Sequence, residues 1–285
     1  GFIGINYLHS IIDKKNKILC IDYINNASNK KEILNLTKRK KIIFKKIDIS
    51  NFNKISKVIF EFKPNYVINF AAESHVDNSI KNPSKFVKSN IIGTFNLVES
   101  CRQLINSEKI FKKFMHISTD EVYGSLSKSE KKSSEGSVYK PNSPYSASKA
   151  SSDHIVRSYV KTYNFPAIVT HCTNNYGPWQ NKEKLIPKVI LNYLNNKKIP
   201  LYGNGKNIRD WIYVDDHIRA INRLIKKGII GEVYNISGKN QISNVAIIKT
   251  ILEILDAHTK NKDSFNKLVS FVEDRKGHDF RYDIN

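Results

Sequence analysis

Cysteine is scarce in this chain of 285 residues: Cys20, Cys101 and Cys172 are odd in number, far apart, and form no C-x-x-C spacing. That excludes a disulfide-stapled scaffold and a thiolate metal site, and predicts buried free thiols in a reducing, cytoplasmic setting. No run of eighteen apolar residues exists, so no membrane-spanning helix is expected. The opening Gly1-Phe2-Ile3-Gly4 has no basic n-region, so no signal peptide is read there. The first residue is not Met, as in a chain that begins inside a longer one. Internal repeats are absent, and the Lys/Ser-rich run from Ser125 to Ser137 is the one low-complexity stretch, read as a solvated loop. Acids are also few: 26 Asp and Glu against 47 Lys and Arg leave a net charge of +21. The excess is mostly lysine, spread among Asn and Ile, whereas readers of bases and phosphates depend on arginine. A nucleic-acid surface is therefore disfavoured, and affinity for anionic small molecules is expected.

What is present is an alternation of strand and helix patterns. Helical spacing through Ile5, Leu8, Ile11 and Ile12 precedes the apolar run Ile18-Leu19-Cys20-Ile21, which closes on Asp22. Gly1 and Gly4 ahead of a helix, then a strand with a terminal acid, match the later half of a dinucleotide-binding fingerprint. The glycines would let pyrophosphate approach a helix N-terminus, and Asp22 would accept from ribose hydroxyls, favouring NAD over NADP. A turn glycine is the competing reading of this short pattern. Further strands are predicted at Ile42–Phe44, Tyr66–Phe70, Phe114–Ile117 and Pro166–Cys172, with helices over 55–62, 90–104 and 149–164 between them. Such alternation predicts an α/β fold with a doubly wound parallel sheet. After Asn174 the alternation fades, and helices are expected over 185–193, 217–226 and 244–258.

The strongest candidate site runs from Phe114 to Lys149. An apolar strand ends in Ser118-Thr119-Asp120-Glu121, and adjacent carboxyls there are costly to bury unless used. Pro144-Tyr145-Ser146-Ala147-Ser148-Lys149 then opens a helix on which Tyr145 and Lys149 share a face. A phenol beside an ammonium is expected to titrate low and act as a base. Two other Tyr-x-x-x-Lys spacings, Tyr193/Lys197 and Tyr202/Lys206, lack this context. The later Arg209, Arg275, His278 and Arg281 suggest a diphosphate clamp, with surface charge as the alternative.

The stretches AAESHVDNSI (71–80), STDEVYG (118–124), SPYSASKASSDH (143–154), NNYGPWQ (174–180), EKLIP (183–187), RDWIYVDDH (209–217) and DRKGHD (274–279) resemble the extended short-chain dehydrogenase/reductase family. Within it they are similar to the dTDP-glucose 4,6-dehydratases. The resemblance implies a Rossmann-like NAD-binding domain over 1–175 and a smaller C-terminal α/β substrate domain over 176–285, some of whose segments return to the first sheet. It implies NAD contacts at Asp22, Asp48, Ile49, Ala71, Ala72, Ser74, Tyr145 and Lys149, beside the fingerprint glycines Gly1 and Gly4. It implies nucleotide-sugar contacts at Ser74, Thr119, Asn174, Lys184, Leu185, Tyr202, Arg209, Asn244, Arg275 and His278, and a homodimer.

The same resemblance implies the chemistry. Tyr145, aided by Lys149 and Thr119, deprotonates the sugar 4-hydroxyl during C4 oxidation. Glu121 takes the C5 proton, Asp120 protonates the departing 6-hydroxyl, and hydride returns to C6. The pattern departs from the family at the missing first strand and leading glycine, at the shortened tail, at Asn78 in place of Arg and at Lys276 in place of Pro. A UDP-sugar 4,6-dehydratase or decarboxylase is the nearest alternative; a catalytically silent NAD- or nucleic-acid-binding protein is the alternative of another class.

Overall fold

In the computed structural model, which describes residues 1–285 except 13–14, 109 and 260–262, the chain alternates as its patterning predicts. Helix α1 (Phe2–Ile11), strand β1 (Leu19–Asp22), α2 (Lys30–Lys38), β2 (Ile43–Lys46), α3 (Phe52–Phe62) and β3 (Tyr66–Asn69) come first. Short helices α4 (Val76–Lys81) and α5 (Pro83–Phe86) run through a π-helical turn (Val87–Ile92) into α6 (Gly93–Ser107). Strand β4 (Lys113–Thr119) ends in a 3-10 turn (Asp120–Tyr123), and the long α7 (Pro144–Tyr163) returns to β5 (Ala167–Cys172). The later part adds β6 (Asn174–Tyr176), α8 (Leu185–Leu194), β7 (Ile199–Tyr202), β8 (Ile208–Tyr213), α9 (Val214–Lys227) and β9 (Val233–Ile236). It closes with β10 (Gln241–Ser243), α10 (Asn244–Thr259), α11 (Ser264–Leu268) and β11 (Val269–Val272).

The central sheet is parallel throughout, in the order β3-β4-β5-β9, with Met115 opposite Ile168 and Ile117 opposite Thr170. Strands β1 and β2 pair in a separate parallel ribbon. Side chains alternate across a strand, so β4 feeds two cores. Phe114 joins Ile55 and Ile59 of α3, Leu97, Val98 and Cys101 of α6, and Val156 of α7 on one face. Met115 and Ile117 join Tyr7 of α1 and Val214, Ile218 and Ile221 of α9 on the other. Helices on both faces make this a doubly wound sheet, and every residue of β4 and β5 is buried.

A smaller α/β unit forms from later residues. Here β7 pairs with β11, and Val189, Ile199, Leu201, Ile248, Leu252 and Leu268 make its core. Strand β9 lies late in the chain yet extends the first sheet through β5. The run from Ser125 to Ser137, expected to be solvated throughout, is pinned at Ser133: its N–H donates to Asp283 O at 3.0 Å and its O accepts from Asn285 N at 2.9 Å. A backbone bridge across the chain explains why this one serine is buried.

Sequence propensity sets the boundaries that matter for the site. Ser143 caps α7 reciprocally with Ser146, and Pro144 occupies the first turn, where its missing N–H is harmless. Helix α7 stops at Asn164 in the left-handed region, φ 53°. Lys113 opens β4 buried, an unusual place for an ammonium. Its Nζ donates to Leu224 O, Ile225 O and Gly228 O at 3.3, 3.1 and 2.8 Å, closing the C-terminus of α9. Lys113→Met should lower stability by about 1–3 kcal/mol, since buried carbonyls lose their donor. A urea midpoint equal to the parent's would remove this role from Lys113.

Candidate active site

The carboxyl ends of β4 and β5 open into a cleft of about 800 Å³. Strand β4 turns sharply there: Thr119 Oγ1 accepts from Glu121 N at 3.3 Å and donates to Asp120 Oδ1 at 3.3 Å. The turn leaves through Gly124 at φ 81°, where a Cβ would stand 2.1 Å from Lys140 O, so only glycine serves. Tyr145 and Lys149 face the same cleft one turn apart on α7, both buried. Lys149 Nζ donates to Ile117 O at 2.8 Å, tying the helix to the strand that carries the acids.

Electrostatics divide the two carboxyls. Burial, reinforced by the charge of Glu121, holds the Asp120 carboxyl well above the usual range. Burial also raises Glu121, against the nearby cations Arg209, Lys184 and Arg275. Adjacent acids whose environments push them unequally give one proton donor and one acceptor. Asp120 Oδ2 is buried and has no hydrogen-bond partner among the described residues, as a donor kept for a substrate would be. Tyr145 departs from expectation. Burial first, then the Glu121 charge, holds its phenol well above 10, whereas the Tyr/Lys pairing had suggested a low value. Lys149, one turn away with its Nζ on Ile117 O, does not offset that burial, and burial lowers its own pKa as well.

The cleft is lined by Gly1, Gly4, Ala72, Ser74, Thr119, Asp120, Glu121, Tyr145, Lys149, Asn174, Lys184 and Leu185. Lys184 Nζ donates to Ser74 O at 2.8 Å, joining α8 to the loop after β3. Asp22, at the end of β1, accepts from the amine of Gly1 at 3.3 Å and from Ile24 N and Ser28 Oγ, each at 2.7 Å. Asp48 accepts from Ser50 N and Oγ, Ile49 packs in the core beneath Gly93, and Ala71 packs against that core. Asn244 opens α10, its N–H on Asn207 O at 3.0 Å. Arg209 is buried and donates to Ile208 O, Phe280 O and Asp279 O, with its guanidinium over the Tyr282 ring at 4.4 Å. Tyr202, Arg275 and His278 form a second cluster. Arg275 pairs with Asp77 at 3.4 Å and lies over Tyr202, and the Tyr202 hydroxyl donates to Asp77 at 3.4 Å. His278 meets the Tyr202 ring edge-on and pairs with Asp274 at 2.6 Å.

Two site residues were not singled out by the sequence. Asn90, inside the π-helical turn, accepts from Glu73 N at 2.8 Å and donates to Glu73 O at 3.0 Å and Ser148 Oγ at 2.8 Å. It thereby fixes the Ala71–Ser74 loop to the helix that carries Tyr145. π-Turns of this kind accompany functional sites, but nothing local in the sequence marks one. Tyr282 donates to Asp279, and its hydroxyl lies 3.3 Å from Glu121 Oε2. It reaches the acid from 161 positions away, which no spacing reveals.

The residues present suit a dinucleotide. Among the described residues no side-chain hydrogen bond caps α1 at Gly1, and its first turn lines the cleft. Asp22 stands at the neighbouring strand end, and Ala72 keeps the wall after β3 low. A Tyr/Lys pair and a carboxyl pair beyond the strand ends of a doubly wound sheet define an extended short-chain dehydrogenase/reductase. More narrowly, the chain belongs to the GDP-mannose 4,6 dehydratase family, which it matches over residues 1–285.

Named relatives agree. The dTDP-glucose 4,6-dehydratase of Neisseria meningitidis is 42% identical, over 100% of this chain and 83% of that protein. Its counterpart in Escherichia coli K12 is 41% identical, over 100% and 82%. Among solved structures, DesIV of Streptomyces venezuelae, a dTDP-glucose 4,6-dehydratase with NAD and TYD bound, superposes with a TM-score of 0.91 at 34% identity. That match covers 100% of this chain and 85% of DesIV. A Bacillus cereus UDP-glucuronic acid 4-epimerase with NAD reaches 0.87 at 28% identity, over 100% and 87%.

The buried Asp120 keeps its proton at a pH where the unfolded residue has lost it. Its penalty is therefore absent below about pH 4, the unfolded value, and grows as pH rises toward the folded one. Asp120→Asn should raise the thermal midpoint near pH 8, by about 2–8 °C for 1–2 kcal/mol, with the two proteins converging near pH 4. Parallel melting curves at both pH values would contradict a protonated, strained Asp120.

Proposed function

We propose that this chain dehydrates dTDP-glucose to dTDP-4-keto-6-deoxyglucose, with NAD as resident cofactor and residues 1–175 and 176–285 as its cofactor and substrate domains. The observation that carries the reading is the meeting of an unequally raised acid pair with a Tyr/Lys pair in one cleft. Gly1, Gly4, Asp22, Asp48, Ile49, Ala71, Ala72, Ser74, Tyr145 and Lys149 are assigned to the cofactor. When bound, NAD would supply the hydride acceptor for oxidation at sugar C4 and the hydride donor for reduction at C6.

The chain's own residues handle the protons. Tyr145 receives the 4-hydroxyl proton as its phenolate, with Thr119 against its oxygen and the Lys149 charge opposing the burial that holds the phenol high. The resulting 4-ketone acidifies C5–H. Glu121 takes that proton while Asp120 gives one to O6, so the C6–O bond breaks and one water leaves. Glu121 returns its proton to C5 when C6 is reduced, and the proton that Tyr145 received passes through solvent to Asp120, which resets all three groups. Lys184, Leu185, Asn174, Asn244 and the cluster of Tyr202, Arg275 and His278 are assigned to the nucleotide diphosphate. Arg209 is assigned to the nucleotide diphosphate as well, its Nη atoms anchored on the Ile208, Phe280 and Asp279 carbonyls and its charge reaching the acids.

The protein is proposed to work in the cytoplasm as a homodimer. Among the described residues no helix is long and apolar enough to cross a membrane. Val87, Ile92 and Phe95 are exposed together near the start of α6, which favours a helical interface there. Phe95→Lys should shift the sedimentation profile from dimer to monomer, and an unchanged profile would move the interface elsewhere.

Glu121→Gln should retain C4 oxidation, read as reduced cofactor absorbance on mixing with dTDP-glucose, while product that has lost water falls by about 100-fold or more. Equal loss of both signals would overturn the role division. Turnover of UDP-glucose alone would move the substrate to the uridine series.

A further inference from the structure

Asp153 lies one helical turn beyond Lys149 and two beyond Tyr145, on one face of α7. It is fully buried, and so are the groups around it. Its Oδ2 accepts from Ser118 Oγ at 2.9 Å and from His171 Nε2 at 3.0 Å. Its Oδ1 stands 3.4 Å from His116 Nε2. His116 lies between this carboxylate and the ammonium of Lys149, whose Nζ is 3.4 Å from the same Nε2.

The hydrogen-bond pattern defines the ring. Asn69 Nδ2 is a donor and faces His116 Nδ1 at 3.3 Å, so Nδ1 accepts and Nε2 carries the hydrogen. That hydrogen faces Ser152 Oγ at 3.0 Å, which itself donates to Lys149 O, and faces Asp153. Burial holds His116 down to about 4, so the ring is neutral at neutral pH. Lys149 thus sits dry, bonded to the neutral Ile117 carbonyl, with an imidazole N–H beside it. A buried ammonium with neutral neighbours gives up its proton. The groups facing this network are His116 of β4, His171 and Cys172 of β5, Tyr123 of the 3-10 turn and Tyr139, whose hydroxyl meets His171 Nε2 at 3.0 Å. Among them the carboxylate is the one anion that needs no deprotonation above its ordinary range.

We propose that Asp153 is a positioning residue of the reaction, the buried counter-ion that keeps Lys149 protonated with neutral His116 as the spacer between them. This rests on Tyr145 and Lys149 working as the base pair of the proposed dehydration. Desolvation pulls Lys149 down, and Asp153 is the largest influence opposing it. Without that charge Lys149 would deprotonate at lower pH, and Tyr145 would lose the cation that favours its phenolate.

The test compares parent, Asp153→Asn, Asp153→Glu and Tyr145→Phe with NAD and dTDP-glucose across pH. For Asp153→Asn, kcat should fall tenfold or more near neutral pH while KM changes less than twofold. The alkaline limb of kcat should move down by about one pH unit, and Asp153→Glu should restore part of both. A pH profile superimposing on the parent's, or a loss confined to KM, overturns the proposal. In a Lys149→Arg background, whose guanidinium stays charged unaided, Asp153→Asn should cost little further, and full additivity overturns it too. If Asp153→Asn does not fold, NMR of 13Cε-labelled lysine in the parent decides. An ammonium signal for Lys149 persisting above neutral pH supports the assignment, and a neutral amine at neutral pH defeats it. Tyr145→Phe separates the levels. Retained turnover there brings down the functional reading and this inference with it, whereas a dead Tyr145→Phe beside an unshifted Asp153→Asn removes Asp153 alone.

Discussion

A parallel sheet covered on both faces has one outlet for polar chemistry, the space beyond the carboxyl ends of its strands. Strands β4 and β5 have no solvated residue, so the first polar groups the chain can use come where those strands stop. Thr119, Asp120 and Glu121 are the stopping point of β4, and Cys172 and Asn174 that of β5 and its continuation. The acids are dry because the strand that delivers them is dry, and dryness is what separates their protonation states.

Such a site works against the fold that holds it. Asp120, Lys149, His116 and Asp153 are all buried within the reach of two strands and one helix. An uncompensated buried charge there would cost several kcal/mol, so the cluster persists only because each group answers another. The apolar cores on either face of β4 and β5 supply the rigidity. Helix α7 contributes to both roles, with Val156 in the core and Tyr145, Lys149 and Asp153 toward the polar end.

Much of this was legible in the chain. The apolar runs, their polar ends and the Ser-Pro start of α7 located the sheet and the Tyr145/Lys149 helix, because each signal is local. The boundary differed by three residues where β8 hands directly to α9, which begins at Val214 rather than near His217. Short strands β6, β10 and β11 carry too few residues to show a period. Asn90 and Tyr282 were invisible for another reason: each acts through partners distant in sequence. The direction of the Tyr145 shift also escaped, since spacing shows that an ammonium is one turn away but not how deeply the phenol is buried. Arg209 was marked by scarcity and by the family resemblance, and what the sequence does not show is that its Nη donors also reach the Ile208, Phe280 and Asp279 carbonyls.

The π-helical turn at Val87–Ile92 carries one residue more per turn than an α-helix would use. Helical phase upstream and downstream of it is therefore set by chain length rather than by side-chain preference. Removing any single residue from this stretch would let it relax to ordinary α-helical winding, which keeps α5 and α6 in phase but turns side chains within the stretch by up to one position, about 100°. Asn90 would swing off Glu73, and the loop after β3 would lose its Asn90 tether to α7. Length here is a coordinate of the site: the segment can exchange residues within their places but cannot drop one.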